Sequence, residues 1–123
     1  MRRRAGSRGR TAPRGSRGGG LTRGLGSDAN PGDGDRVKIE VDLEGGVVMA
    51  VRVTASGCEV STKAAAALAR LARGRGRSEV LALGVAEVTG QIGPVDQGHD
   101  GCVLAAIGAL RAAIVDAHMK AIA

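Results

Sequence analysis

No phenylalanine, tyrosine or tryptophan occurs in the 123 residues. Whatever core the chain builds must come from Val, Leu, Ile and Ala. The same absence removes the stacking platforms on which most single-strand and RNA readers hold their bases. The remaining residues are distributed unevenly. Residues 1–26 (MRRRAGSRGRTAPRGSRGGGLTRGLG) hold eight arginines, eight glycines and no acidic residue, whereas residues 27–123 carry ten Lys/Arg and all twelve Asp/Glu. The net charge of +6 therefore belongs to the first segment.

That segment is low in complexity and has little apolar surface to offset chain entropy, so it is expected to be a disordered Arg/Gly-rich tail. Such tracts can bind nucleic acid by counterion release, the only route to nucleic acid that the sequence offers. A secretory signal is not expected, because no apolar stretch follows the arginines. The glycines argue against the amphipathic helix of a transit peptide. No run reaches the ~20 apolar residues of a membrane span, and the expectation is a soluble cytoplasmic protein. SDANPGDGD at 27–35 is turn chemistry and marks the expected entrance to a single domain, 27–123.

Within that domain Val37, Ile39 and Val41 alternate with Lys38, Glu40 and Asp42, the period of a half-buried strand. Glu44-Gly45-Gly46 reads as a hairpin turn into a second alternating strand through Val47, Met49, Val51 and Val53. The period then changes. STKAAAALARLA at 61–72 predicts a helix capped by Ser61 or Thr62, with Ala64, Leu68 and Leu71 on one face. Gly74 and Gly76 stop it. Ser78 is expected to cap a short helix to Leu83, a further turn or two spans Val85–Ile92, and Gly93-Pro94 breaks it. After the polar loop DQGHDG (96–101), a long helix is predicted over 102–121. Its apolar stripe is Leu104, Ile107, Leu110, Ile114 and Ala117; Arg111, Asp116 and Lys120 face away. Strands first and helices after predict an α+β fold, a small antiparallel sheet with helices packed on one face.

Two cysteines are too few for a disulfide framework. Cys58 follows a strand and precedes a helix, and Cys102 begins the last helix. Both thiols are thus expected near helix N-termini, where unclaimed N–H groups favour the thiolate that ligates metal or attacks sulfur. Asp33, Asp35, His99 and Asp100 lie in nearby loops, and Cys, His and Asp together suit iron or zinc. The plainer alternative is two small buried side chains, a solvated turn and a helix cap. No CxxC pair, Ser/His/Asp set or phosphate loop is present.

ANPGDGD (29–35), the two-strand segment, SGC (56–58), the Ala-rich helix, Gly74-Arg75, SEVLAL (78–83) and GCVLAAIGALRAAI (101–114) share an order and spacing. Taken together they resemble the IscU/NifU N-terminal-type iron–sulfur cluster scaffold family over roughly residues 29–118. The resemblance implies a non-enzymatic protein that holds iron and sulfide transiently, builds an iron–sulfur cluster, and passes it to acceptor proteins. It also implies a cysteine desulfurase as sulfur donor. Cys58 and Cys102 fall on the family's second and third cysteines, and Asp35 on its aspartate. Asp33 stands where the first cysteine is expected. Gly101 takes the place of the family's usual histidine, so His99 is the candidate fourth ligand. The family's N-terminal helix is missing, with the Arg/Gly tail in its place. Two alternatives accompany this expectation: a Zn²⁺-dependent sulfur-transfer protein of the same fold, or a family member acting only as a binding module. The sequence leaves the oligomeric state open.

Overall fold

The computed structural model describes residues 20–30 and 35–122. Three strands, β1 (Thr22–Asn30), β2 (Asp35–Glu44) and β3 (Val47–Ser56), form an antiparallel sheet in the order β1-β2-β3. Four helices follow: α1 (Glu59–Ala72), α2 (Arg77–Leu81), α3 (Val85–Ile92) and α4 (Asp100–Ile122). Of these, α4 packs against β1 and β2 and α1 against β3, in mutual contact, while α3 packs on both and α2 on α4. This is the expected α+β architecture, with one strand more than the alternation pattern predicts.

The additional strand crosses the boundary expected at residue 27, because Thr22–Gly26 forms the first half of β1. The pairing explains why no period-2 signal marks it. Gly24 and Gly26 stand opposite Val41 and Ile39, the inward-facing positions of β2. Both glycines are buried. A Cβ on Gly24 would overlap Ala113 O and Ala117 N of α4, and one on Gly26 would overlap Ala109 O and Ala113 N. Glycine here serves close backbone approach, and the two buried positions of β1 carry no side chain to reveal the strand.

The rest of the core is aliphatic, but the alternation expected through Val47 and Met49 is broken: the sheet register shifts at Asp42/Leu43, Val48 is buried, and Val47 and Met49 are exposed. Val37, Ile39, Val41, Leu43 and Val48 from the sheet are buried against Ala64, Leu68, Leu110, Ile114 and Ala117. The stripe expected on α4 needs one correction: Leu104 is 55% exposed, whereas Ile107, Leu110, Ile114 and Ala117 are buried. Leu104 belongs with Val115, Met119 and Ile122 to an outward apolar face. As a whole, α4 is long and apolar enough, by length and composition, to cross a membrane, although no such run was expected. More than half of that stretch is buried inside the fold, as in the core helix of a globular domain.

Helix ends also differ from expectation. Cys58, not Ser61 or Thr62, is the N-cap of α1. Gly76 precedes α2, and its N–H donates to Glu79 Oε1 at 3.0 Å, so Ser78 lies inside that helix. Glu87 Oε1 accepts from Gly84 N–H at 2.8 Å in the same way at α3. After α1 the chain lies along the start of β3. Gly74 N–H donates to Val48 O (2.8 Å) and Val48 N–H to Arg75 O (2.9 Å), which covers this stretch of sheet edge.

The β1 edge is closed by side chains instead. Asp116 and Lys120, expected to face solvent, reach back to it: Asp116 Oδ2 accepts from Leu25 N–H (2.8 Å) and Lys120 Nζ donates to Arg23 O (3.3 Å). On the outer sheet face Arg52 forks onto Asp42 at 2.9 and 3.1 Å and donates to Glu40 at 2.6 Å. Arg23 adds a bond to Asp42 at 3.2 Å. Hydrogen bonds from Arg52, then from Arg23, hold the Asp42 carboxyl below its ordinary range. The Leu25 N–H, then Lys120, does the same for Asp116.

Both carboxyls have a lower pKa folded than unfolded, so the stability they contribute is present above the unfolded value and lost as pH falls through the folded one. Urea midpoints are therefore expected to begin falling near the ordinary value of 3.8 and to keep falling below it. An Asp42→Asn, Asp116→Asn double variant should flatten that acid limb. An acid limb as steep in the double variant as in the parent would refute the assignment.

Candidate functional site

The strand register decides which loops meet. Asn30 pairs with Asp35 and Arg36 with Ser56, so the end of β1, the start of β2 and the β3–α1 connection lie at one end of the sheet. α1 runs back along β3, and its far end meets the opposite end of that strand at Val48. α4 also opposes the strand beneath it, with Gly108 against Asp28, Ala109 and Ala113 at Gly26, and Ala113 and Ala117 at Gly24. Since β1 and β3 are parallel to each other, α1 and α4 are parallel too. Both helices begin at the end of the sheet where β1 and β3 finish.

This arrangement gathers residues that are far apart in the chain. Cys58 follows Gly57, whose φ of 98° turns the strand into the helix. Its backbone is extended (φ −79°, ψ 131°), its thiol makes no capping hydrogen bond, and the residue is half-buried. Cys102 is the third residue of α4, about 9 Å of helix before Gly108. It is fully buried. His99 closes the short 3₁₀ turn that leads into α4, half-buried, with its N–H donating to Asp96 O at 2.8 Å. Asp100 opens α4 and is exposed. Asp35 opens β2. Asp33 lies outside the described residues.

Topology thus brings Cys58, Cys102, His99 and Asp35 to one end of the molecule. Among the described residues, no three of the His, Cys, Asp and Glu side chains stand close enough to hold a metal ion. Among the described residues, soft and hard donor types therefore fall at one end of the fold without forming a closed cage. A cavity of about 540 Å³ opens on the other side of the sheet, lined by Arg36, Lys38, Thr54 and Ser56 among others; neither cysteine lines it.

One residue at the rim gained its significance only from the fold. Ser61, expected as a helix cap, is fully buried in the first turn of α1. Its Oγ is the one buried side-chain N or O among the described residues with no hydrogen-bond partner. Leaving a hydroxyl in that state costs about 1–3 kcal/mol. Sequence gives no signal for this, because Ser61 and the exposed Thr62 look equally suited to a helix start.

Comparison with known proteins agrees with the fold. The family described as NifU-like N terminal domain matches residues 6–123. Among solved structures, one similar fold is a putative iron–sulfur cluster assembly scaffold protein for the SUF system, from the thermophilic Fervidobacterium islandicum AW-1. That chain is 17% identical, with a TM-score of 0.60, and the match covers 76% of this chain and 81% of the other. No curated protein matches the sequence.

Proposed function

Because the chain belongs to the NifU-like N-terminal domain family, we propose that it is an iron–sulfur cluster assembly scaffold. It holds iron and sulfide through Cys58 and Cys102, with Asp35 and Asp33 as oxygen ligands and His99 as the further donor. The cluster is its cargo, received with the help of a cysteine desulfurase and passed to acceptor proteins in the cytoplasm. The chain turns over no substrate of its own.

The observation that carries this reading is the parallel start of α1 and α4 at one end of the sheet, one helix with a cysteine at its N-cap and the other with a cysteine in its first turn. Two helix N-termini side by side favour anionic sulfur, because their first N–H groups lack intrahelical acceptors and their dipoles add. Thiolates bind iron firmly, while carboxylate and imidazole exchange more readily. A mixed set suits a cluster that must leave again.

Anaerobic reconstitution with ferrous iron, sulfide and a cysteine desulfurase tests the proposal. The parent is expected to take up iron and acid-labile sulfide and to develop the visible charge-transfer colour of a cluster. Cys58→Ser and Cys102→Ser should each retain at least about tenfold less, the scale on which metal sites respond to lost partners. Far-UV circular dichroism of both variants guards against a folding defect, since Cys102 is fully buried. A parent that gains neither iron nor sulfide, or variants that load as the parent does, would defeat the reading. Stable zinc without colour would indicate sulfur transfer instead.

A further inference from the structure

We infer that Ser61 is a positioning residue of this site, its hydroxyl donating a hydrogen bond to the sulfur anion held at Cys58. The inference rests on the scaffold reading above and adds a residue to it.

Cys58 is the N-cap of α1 and Ser61 is the third helical residue. In a side-chain-capped helix these two positions are partners, the cap accepting from the N–H of the second or third residue. Here Cys58 makes no such bond. A thiol is a weak acceptor, whereas an anionic acceptor forms the shorter and stronger bonds. The end of α1 therefore keeps donors without a side-chain acceptor, and the buried Ser61 hydroxyl adds one more beside them. Side chains three residues apart on a helix are neighbours, with Cβ atoms about 5–6 Å apart. In the structure no acceptor, sulfur included, lies within bonding distance of that hydroxyl, so a thiolate at Cys58 meets it by a change of Cys58 rotamer.

The surroundings separate this role from ordinary packing. Thr62, the next residue, satisfies its hydroxyl by donating to Cys58 O at 3.4 Å; Ser61 does not use that route. The positions that follow Ser61 along the buried face of α1 are Ala64, Ala65, Leu68 and Ala72. Alanine would fill the Ser61 position in an apolar interface with no unmet polar atom. A hydroxyl at this point is useful when an acceptor arrives.

The experiment uses the full chain, reduced and anaerobic, with Co²⁺ as the probe. Its thiolate-to-metal charge-transfer band is recorded and its affinity measured by competition with a chelator. Metal-free Ser61→Ala should unfold at the same temperature as the parent or higher. It should bind Co²⁺ about tenfold more weakly, within the range for lost outer partners of metal ligands. Its band should move to longer wavelength, because a thiolate relieved of a hydrogen bond gives up charge more easily. Ser61→Thr, which keeps the hydroxyl, should recover most of both effects.

Affinity and band unchanged in Ser61→Ala would overturn the inference. So would a lower unfolding temperature of metal-free Ser61→Ala with no change at the metal. Cys58→Ser separates the two levels. If the parent shows no thiolate band, or keeps it in Cys58→Ser, the scaffold reading and the role of Ser61 fall together. If the band needs Cys58 and ignores Ser61→Ala, only the role of Ser61 falls.

Discussion

Gly26→Val is expected to lower the unfolding free energy by about 3 kcal/mol or more, at the upper end of what overpacking costs. The reason lies in what a side chain would strike. A Cβ at Gly26 overlaps Ala109 O and Ala113 N and comes within 2.9 Å of Ala112 C, all backbone of α4. A flexible side chain could swing aside; a helix backbone cannot, so the strand must lift off. Lifting β1 would also break the bond from Leu25 N–H to Asp116 and the one from Lys120 to Arg23 O.

Gly90→Ala supplies the opposite sign. Its Cβ would meet nothing within 4 Å, and the residue is exposed on α3. There the gain in helix propensity should stabilise by about 0.5–1 kcal/mol. Urea titration of the three proteins checks both. A Gly26→Val midpoint equal to that of the parent would contradict the contact between β1 and α4.

Ile114→Ala is the second large effect, set against Leu104→Ala. Both residues fall on the apolar stripe that the sequence predicts for the last helix. Ile114 has no exposed surface, and Leu104 is 55% exposed. Truncating Ile114 removes buried methyl groups and leaves a cavity between α4 and the sheet, a loss of about 2–5 kcal/mol. With no aromatic side chain nearby to collapse into the space, a value in the upper half is expected. Leu104→Ala should stay within about 0.5 kcal/mol, the usual range for surface changes. Equal losses at the two positions would mean that α4 is rotated about its axis from the orientation described.

The contrast shows where sequence reasoning reaches. Period alone places Leu104 with Ile107, Leu110 and Ile114, because a helix wheel cannot say how wide the buried arc is. The width depends on what packs there, and β1 and α1 leave the Leu104 side of α4 uncovered. Asp116 and Lys120 are misread for the same reason. They look like solvent-facing charges until a neighbouring strand edge offers an N–H and a carbonyl. The site divides similarly. Cys58 and Cys102 at helix starts are legible from the loops before them, whereas the parallel direction of the two helices is not. Ser61 is legible as a cap residue and becomes a buried hydroxyl only once α1 is docked.

By itself the sequence determined an aliphatic interior, the β2–β3 hairpin, the order and types of the helices, and a likeness of motif order to a family. These follow from residue type and local period, which act over a few positions. Tertiary structure alone decided that a glycine-bearing segment is a third strand, which apolar side chains are covered, and which chain ends share one rim. Those outcomes depend on contacts between segments up to 97 residues apart. No local pattern encodes them, because the inward positions Gly24 and Gly26 mark themselves by what they lack.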